Sequence, residues 1–324
     1  MDKELLNKIV IKYNLGKLKT EPTRVYGGLL HVSYKLQTTS GTFLVKLFGK
    51  ISNIKLSMQD FLEQEKFEDL YYKNKIPAIY ALKFNGHGIQ LLDDEVFCLF
   101  KWFNGKVIKG VNSTINQCKK MAKVTAKTHN IKLINDGKNE ELININWKSL
   151  LSKAKKQNSI VTNLLSENLK MLEDLTIKAN EFIPKLPNVK AICHNDMDCK
   201  NVMWKGLKYR LIDLECIGLH NPYLEAFINA LNWSGYAECD INFKKYNVFL
   251  KTYFKHSKLS KDINFEVLYY GSALGLEWLE FSIKRALKLV GNSNEEQQLG
   301  IEQTKLTINQ IKHFYEHKNE IINI

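Results

Sequence analysis

Two runs of residues decide the fold of this chain: Cys193-His194-Asn195-Asp196-Met197-Asp198-Cys199-Lys200-Asn201-Val202-Met203-Trp204, and soon after it Tyr209-Arg210-Leu211-Ile212-Asp213-Leu214-Glu215. An apolar lead-in of Val189, Ala191 and Ile192 delivers His194 and Asp196 to a loop, and Asn201 follows Asp196 after four intervening residues. The second run predicts a short buried strand with Asp213 at its end. One loop therefore carries a carboxylate and an amide, and a nearby strand end carries a second carboxylate.

The order His194, Asp196, Asn201 has the H-x-D-x-x-x-x-N spacing of a kinase catalytic loop. Phosphoryl transfer from ATP needs a carboxylate at the acceptor hydroxyl and oxygen ligands that hold Mg²⁺ across the phosphates. Asp196 fits the first requirement, and Asn201 and Asp213 fit the second. Because His, Asp and Asn are frequent loop residues, this spacing alone is a hypothesis that the rest of the chain must support.

The composition is that of an ordinary globular protein large enough to form two lobes. The chain has 324 residues, of which 44% are hydrophobic and 25% charged. No apolar run is long enough to span a membrane, and Met1-Asp2-Lys3-Glu4 opens a short amphipathic helix rather than a leader, so we expect a soluble cytoplasmic protein. Six cysteines form no C-x-x-C pair, and we expect reduced thiols.

The formal net charge of +13 raises nucleic-acid binding as an alternative function. The lysines are spread through the chain, and no base-reading motif accompanies them, so we expect the charge to serve solubility and the attraction of nucleotides. We therefore expect neither a nucleic-acid nor a membrane partner. The oligomeric state is left open by the sequence.

The first fifty residues predict a helix followed by a small antiparallel sheet. Residues 2–14 have apolar side chains at helical spacing, and from Thr23 to Phe48 the pattern changes to period two, with turns at Gly27-Gly28 and Ser40-Gly41. Glycines let backbone N–H groups approach phosphate oxygens. A plain hairpin turn explains Gly27 and Gly28 equally well.

Lys46 is the charged residue of an otherwise apolar strand, residues 43–48. That strand does not alternate apolar and polar residues as an edge strand with one solvent-exposed face would, so we expect Lys46 to be buried. A buried lysine needs an anionic partner. The helix predicted over residues 56–74 supplies glutamates that can hold the lysine against the α- and β-phosphates of a nucleotide. The candidates are Glu63, Glu65 and Glu68.

Two further strands, at residues 88–92 and 95–102, complete the predicted sheet, and Asn104-Gly105 ends the second. The apolar run before this turn lies where a two-lobed kinase has its hinge. Beyond it the pattern is mainly helical, at residues 115–130, 147–182 (two helices), from 222 onward, 265–289 and 295–317. We expect an α+β fold with an N-terminal nucleotide-binding lobe (1–103) and a helical C-terminal lobe (104–324) that carries the catalytic loop and the acceptor site.

The order of these motifs resembles the aminoglycoside phosphotransferase and choline kinase families, small-molecule relatives of the protein kinases. It runs from about Tyr26 to Glu225 as glycine turn, strand lysine, helix glutamate, I-P-A, hinge, H-x-D-x-x-x-x-N and I-D-x-E. Ordered co-occurrence of weak motifs is more specific than any one of them. The resemblance implies a protein-kinase-like fold and an enzyme that moves the γ-phosphate of ATP, with Mg²⁺, to a hydroxyl of a small molecule. GTP as the donor is left open.

The resemblance also implies roles for single residues in nucleotide binding. Gly27 and Gly28 correspond to the nucleotide loop, Lys46 to the phosphate lysine and Glu65 to the helix glutamate. Adenine would bond backbone groups near Lys101 and Phe103, and Phe100 would line its pocket.

Around the catalytic loop, the resemblance makes Asp196 the base or acceptor orienter and Asn201 and Asp213 the magnesium ligands. His194 braces the loop, and Ala126-Lys127-Thr128-His129 is similar to the A-x-L-H at the end of a family helix. Lys200 either reaches the transferring phosphate or is a solvated loop lysine. A nucleotide-binding pseudokinase or scaffold without turnover is the alternative, and the intact Lys46, Asp196, Asn201 and Asp213 argue against it.

The acceptor is suggested by local charge. Residues 211–240 contain five carboxylates and no lysine or arginine, which in so basic a chain favours a cationic acceptor such as an aminoglycoside or an amino alcohol. Alternatively, Glu225 caps a helix start, and Glu238 and Asp240 are surface residues. The candidate acceptor contacts are Glu215, Trp233, Glu277, Trp278 and Glu280, with core packing as the other use of each tryptophan.

Overall fold

The computed structural model describes residues 2–26, 31–48, 58–135, 140–291 and 293–324. The chain forms two compact units: the first is Met1–Val107 with Asn201–Ile217, and the second is Ile108–Lys200 with Gly218–Ile324. The first is built on an antiparallel sheet and the second mainly from helices, which agrees with the predicted α+β class. The boundary between residues 103 and 104 stays a prediction.

The sheet of the first unit has the strand order β1-β2-β3-β5-β4, and each pair of neighbours is antiparallel. Its strands are β1 (Thr23–Val25), β2 (Val32–Thr38), β3 (Gly41–Leu47), β4 (Ile89–Leu92) and β5 (Glu95–Lys101). The predicted small antiparallel sheet is therefore confirmed. The turn predicted at Gly27-Gly28 lies outside the described residues.

Two helices of the first unit pack into separate apolar clusters. Helix α1 (Asp2–Lys12) packs with alternate residues of β3, including Val45 and Leu47. Helix α2 (Met58–Lys73) packs through Phe61 in a cluster that contains Cys98 of β5. Lys46 lies opposite Cys98 in the β3–β5 register, so its side chain projects on the Cys98 face of the sheet, away from the α1 cluster.

A two-stranded hairpin completes the first unit. Strands β8 (Val202–Lys205) and β9 (Lys208–Leu211) pair with each other. The backbone N–H of Leu211 donates to Pro77 O, and that of Ile79 donates to Leu211 O, each at 2.8 Å. The I-P-A segment thereby fixes the end of β9, just before Asp213.

The second unit contains helices and a three-stranded antiparallel sheet with the order β10-β7-β6. The helices are α3 (Ile115–His129), α4 (Trp147–Lys156), α5 (Thr162–Phe182), α6 (Pro222–Asn232), α7 (Phe243–His256), α8 (Phe265–Gly271), α9 (Leu276–Ala286), α10 (Asn294–Glu316) and α11 (Lys318–Ile322). The strands are β6 (Leu133–Ile134), β7 (Lys190–Cys193) and β10 (Gly218–His220). Strand β7 leads directly into the loop that carries Asp196.

The continuous helix predicted over residues 265–289 is wrong. The chain breaks between α8 and α9, where Ala273 has φ 45° and Gly275 has φ 82°. Left-handed residues cannot continue a right-handed helix. The apolar residues keep their helical spacing across the break, which is why the sequence pattern did not reveal the break.

Candidate active site

Lys46 is held by two carboxylates of the first unit. Its Nζ lies 2.6 Å from Asp213 Oδ1 and 2.5 Å from Glu215 Oε2, and its side chain is 15% exposed. Burial alone would lower the pKa of Lys46, but Asp213 and Glu215 outweigh it and raise the pKa above its usual value. A protonated ammonium is thus fixed beside Asp213.

Glu65 is one of three glutamates predicted as possible partners of Lys46, and the resemblance places it at the helix-glutamate position, but it has other partners. Its carboxylate lies 2.8 Å from Lys83 Nζ and accepts a 3.0 Å hydrogen bond from the backbone N–H of Gly88. The expected Lys46–Glu65 pair is therefore corrected: Lys83 engages Glu65, and the turn after β9 brings two other carboxylates to Lys46. The part of Glu65 in nucleotide binding stays a prediction.

Lys46 affects the pKa of another glutamate of α2, Glu68. Burial raises the pKa of Glu68 to about 7, with a further increase from Glu65, while Lys83 and Lys46 act in the opposite direction. The side chain is half-buried. Glu63, on the same helix, is exposed to solvent instead.

Asn201 and Asp213, the predicted magnesium ligands, stand at the open end of the β8–β9 hairpin. Backbone O of Asn201 accepts a 3.0 Å hydrogen bond from the N–H of Ile212, and Asn201 is 4% exposed. Asp213 has φ 63°, a left-handed conformation at the point where β9 gives way to a short 3₁₀ turn, Leu214–Cys216. An amide and a carboxylate oxygen are hard donors of the kind that Mg²⁺ accepts, so the donor set fits this ion.

Glu215 pairs with both Lys46 and His31. Besides Lys46, its Oε2 lies 3.2 Å from His31 Nε2, and its backbone O accepts from the side-chain amide of Gln64. Burial would raise the pKa of Glu215, but His31 and Lys46 lower it to about 2. Contact of Glu215 with an acceptor stays a prediction. His31 is a residue that sequence reasoning missed, although it follows the glycine turn closely.

The remaining predicted nucleotide contacts are located only in part. Gly27 and Gly28 lie outside the described residues. Phe100 and Phe103 are half-buried and Lys101 is exposed, at and just beyond the end of β5. Their role in binding adenine stays a prediction.

In the second unit, Asp196 and Lys200 share the loop after β7. Lys200 Nζ lies 3.4 Å from Asp196 Oδ1 and 3.1 Å from Asp198 Oδ2. Burial would lower the pKa of Lys200, but Asp196 and Asp198 raise it. The Asp196 side chain is 36% exposed and that of Lys200 58% exposed. A partly accessible carboxylate therefore has a lysine ammonium beside it.

The residue before Asp196 is anchored by a buried carboxylate. The backbone N–H of Asn195, which has φ 62°, donates a 2.7 Å hydrogen bond to Glu225 Oε1. Glu225 Oε2 bonds Nε2 of His129, whose Nδ1 lies 2.7 Å from Tyr253 Oη. Burial would raise the pKa of Glu225, but His129, His194 and the Asn195 N–H together lower it. The network holds an ionised carboxylate under the loop.

The residue after Asp196 is anchored by Trp233. The indole N–H of Trp233 donates a 3.0 Å hydrogen bond to the carbonyl of Met197. Trp233 has no exposed surface, so it is unavailable to an acceptor, and the candidate acceptor role is corrected to one of packing and loop support. Since Trp233 is the C-terminal cap of α6 and Glu225 lies in its first turn, one helix holds the loop on both sides of Asp196.

Residues 22–245 match the sequence profile of the phosphotransferase enzyme family, APH. The chain belongs to this family. The match covers more than half of the chain, and it confirms both the predicted resemblance and the prediction that the protein is an enzyme of the small-molecule phosphotransferase class. None of the curated protein sequences matches this phosphotransferase significantly.

Solved structures of small-molecule kinases share the fold of this phosphotransferase. A spectinomycin phosphotransferase, APH(9)-Ia, in complex with ADP and spectinomycin is 13% identical with a TM-score of 0.70, covering 96% of this chain and 98% of its own. Choline kinase from Cryptosporidium parvum Iowa II is 16% identical with a TM-score of 0.56, covering 99% and 96%. Amicoumacin kinase hAmiN, bound to AMP-PNP, Ca²⁺ and Ami, is 13% identical with a TM-score of 0.61, covering 95% and 96%. The predicted two-lobed kinase-like α+β fold is confirmed.

The other candidate acceptor contacts of this phosphotransferase lie on α9. Glu280 pairs with Lys284 at 2.8 Å, Glu277 is exposed, and the indole N–H of Trp278 donates a 3.4 Å hydrogen bond to Gln303 Oε1. Their contact with an acceptor stays a prediction. Within the ranges that the structure describes, no helix is both long and apolar enough to cross a membrane.

Proposed function

We propose that this phosphotransferase moves the γ-phosphate of ATP, with Mg²⁺, to a hydroxyl of a small cationic molecule. The observation that carries the proposal is the contact of Lys46 with Asp213 at 2.6 Å. This contact places an ammonium group, which can bind phosphate oxygens, next to a carboxylate, which can bind the metal ion. Asn201 stands at the same hairpin end and adds an amide oxygen.

In this proposal, Lys46 binds phosphate oxygens of the nucleotide, and Asn201 and Asp213 hold the magnesium ion. When bound, Mg²⁺ neutralises charge on the phosphates and on the group in transfer. Glu215 and His31 keep the Lys46 side chain in place, because Glu215 contacts both. Phosphoryl transfer depends mainly on such positioning and electrostatic stabilisation.

Asp196 is proposed to orient the acceptor hydroxyl and to accept its proton at a carboxylate oxygen. The bonds of Asn195 to Glu225 and of Met197 to Trp233 restrict the backbone on either side of this carboxylate. The Lys200 ammonium, 3.4 Å from Asp196 Oδ1, places a positive charge beside this carboxylate. Rigid placement of an ionised carboxylate is what a general base requires.

A cationic acceptor is supported by the relatives rather than by the acidic stretch. Glu215, Glu225 and Glu238 of residues 211–240 all have partners inside the protein: Lys46, His129 and the backbone N–H of Val111. The solved relatives include kinases of spectinomycin and choline, and an aminopropanol kinase. We therefore propose an aminoglycoside-like compound or an amino alcohol, with Glu277, Trp278 and Glu280 as the candidate contacts.

ATP is proposed as the donor because solved relatives hold ADP or AMP-PNP, and GTP stays open. The divalent ion in the amicoumacin kinase structure is Ca²⁺, and Mg²⁺ is our proposal for this chain. The expected cytoplasmic location stays a prediction.

The test is acceptor-dependent ATP consumption by the purified full chain with Mg²⁺ across a panel of aminoglycosides, spectinomycin, choline and aminopropanol, with the phosphorylated product identified by mass. We expect turnover with at least one compound. Asp196→Asn should abolish turnover yet keep the stabilisation of the fold by ATP and Mg²⁺, whereas Asp262→Asn, at an exposed aspartate, should change neither.

Nucleotide binding without turnover on any compound would favour the pseudokinase alternative. Absence of nucleotide binding would overturn the proposal. Full turnover by Asp196→Asn would overturn the role given to this carboxylate. Retention on duplex DNA that falls with salt would support the nucleic-acid alternative.

A further inference from the structure

The end of α10 carries a group of metal-ligating side chains that the phosphotransferase chemistry does not use. The segment His313-Phe314-Tyr315-Glu316-His317 places two imidazoles and a carboxylate at positions i, i+3 and i+4, which lie on one side of a helix. One ligand atom from each of His313, Glu316 and His317 lies within 4.8 Å of the other two. All three residues belong to the second unit.

The imidazole of His317 is already oriented as a ligand. Its Nδ1 lies 2.9 Å from the backbone carbonyl of His313. Because a carbonyl only accepts, Nδ1 carries a proton, and in the neutral ring Nε2 then has the lone pair that can bind a metal ion. A hydrogen bond from the second ring nitrogen to a backbone carbonyl is the arrangement that fixes histidine ligands around metal ions in proteins.

His313 is also suited to bind a cation. Its Nε2 is buried and makes no hydrogen bond among the residues that the structure describes. The carboxylates of Glu316 and Asp240 act electrostatically on the His313 ring. The same two carboxylates provide negative charge that favours a bound cation. The centroids of the two imidazoles are 4.2 Å apart.

We propose that His313, Glu316 and His317 form a binding site for a divalent transition-metal ion, with Zn²⁺ as the favoured ion. Two imidazole nitrogens and one carboxylate oxygen are a ligand set that Zn²⁺ accepts, with water completing its coordination. Mg²⁺ prefers oxygen ligands and retains its own waters, so it competes weakly for this site. The site is thereby chemically distinct from the amide and carboxylate oxygens of Asn201 and Asp213.

A second cluster with comparable spacing, His129, Cys193 and Glu225, does not support a metal site. His129 and Glu225 are bonded to each other, and all three residues are buried. Burial raises the pKa of the Cys193 thiol well above its usual value, which disfavours the thiolate that a metal requires. The cluster at the end of α10 lacks these obstacles.

The test is a titration of the metal-free full chain with Co²⁺ in excess Mg²⁺, with Zn²⁺ added in competition and calorimetry as the second readout. We expect one equivalent of Co²⁺ to bind with a visible ligand-field spectrum and to be displaced by Zn²⁺. His313→Ala and His317→Asn should each weaken binding by at least about tenfold, and Glu316→Gln should weaken it less. Asparagine at position 317 preserves a polar residue at the helix end.

His256→Ala is the matched control. His256 lies in the last turn of α7, and its Nδ1 lies 2.9 Å from the carbonyl of Thr252, the same arrangement as in His317, but outside the three-ligand cluster. This variant and Cys216→Ser, which removes an exposed thiol, should bind Co²⁺ as the native chain does. The melting temperature of each metal-free variant establishes that it folds.

Zn²⁺ should raise the melting temperature of the native chain and of His256→Ala but not that of the double variant His313→Ala/His317→Asn. One equivalent bound unchanged by the folded double variant would overturn the proposal. An equal loss of binding in His256→Ala would overturn it as well, because simple surface histidines would then account for the metal.

Discussion

The backbone N–H of Asn195 donates a 2.7 Å hydrogen bond to the buried carboxylate of Glu225, directly before Asp196 in the chain. Directly after Asp196, the carbonyl of Met197 accepts from the indole of Trp233. Both anchors come from α6 and its C-terminal cap. The conformation of the loop therefore depends on one helix that contributes no atom to the proposed chemistry.

Glu225→Gln is expected to reduce both stability and turnover. The amide can still accept from the Asn195 N–H, but the charged hydrogen bond to His129 is lost, at a cost of about 2 kcal/mol in the free energy of unfolding. Urea denaturation measures this loss, and kcat for the best acceptor should fall about tenfold because Asp196 is less well placed. In a double-mutant cycle with His129→Gln the two effects should be strongly non-additive, and additive effects would contradict a coupled pair.

Trp233→Phe should separate loop support from packing. Phenylalanine retains most of the apolar contact but cannot donate to Met197, so we expect a loss of about 1 kcal/mol in the free energy of unfolding together with a lower kcat. Trp147→Phe is the matched control, because Trp147 is also buried and its indole donates a 2.8 Å hydrogen bond to Thr176, outside the loop. That control should lose similar stability with kcat unchanged. Equal kcat values in the two variants would argue against loop support by Trp233.

Lys46→Met is expected to remove the cation that Asp213 and Glu215 hold. Turnover should fall by about 100-fold or more, since a preorganised charge at the transferring group is lost. Stabilisation of the fold by ATP and Mg²⁺, measured as a shift in melting temperature, should fall with it. Lys8→Met, at a lysine paired with Glu4 and Asp93 in the same unit, should leave both quantities nearly unchanged. Nucleotide binding of native strength in Lys46→Met would contradict the phosphate-binding role.

The stability of the nucleotide-free protein should depend on pH through Glu68. The pKa of this carboxyl is raised from 4.5 to about 7 by burial, so between these values the folded state binds more protons than the unfolded state. The free energy of unfolding therefore decreases as pH rises from 4.5 to about 7. Glu68→Gln removes this loss and should be more stable than the native chain at about pH 8, by on the order of 2 kcal/mol.

Urea denaturation at about pH 5 and about pH 8 measures the difference. Glu63→Gln is the control. Glu63 is exposed on the same helix, so this variant should have the pH dependence of the native chain. An identical pH dependence in the native chain and Glu68→Gln would contradict the raised pKa of this glutamate.

Most elements of the fold were predictable because their signals are local. The apolar spacing of residues 2–14 predicted α1, observed at Asp2–Lys12, and the alternation after Thr23 predicted the strands of the sheet. The break between α8 and α9 was missed, since the left-handed conformations of Ala273 and Gly275 leave the apolar periodicity intact. Periodicity reports which face of an element is buried, and it does not report where the backbone changes direction.

The proposed catalytic residues were identifiable from sequence, because the chemistry requires particular side chains at short spacings along the chain. Asp196, Asn201 and Asp213 all lie within one segment. Their partners were decided by tertiary structure. Lys46 pairs with Asp213, 167 residues away, and His129 with Glu225, 96 residues away. Glu65, one of the three glutamates predicted as possible partners of Lys46, instead contacts Lys83. A charge pairs with whichever opposite charge folding brings near, and that proximity depends on packing of distant segments that no local pattern encodes.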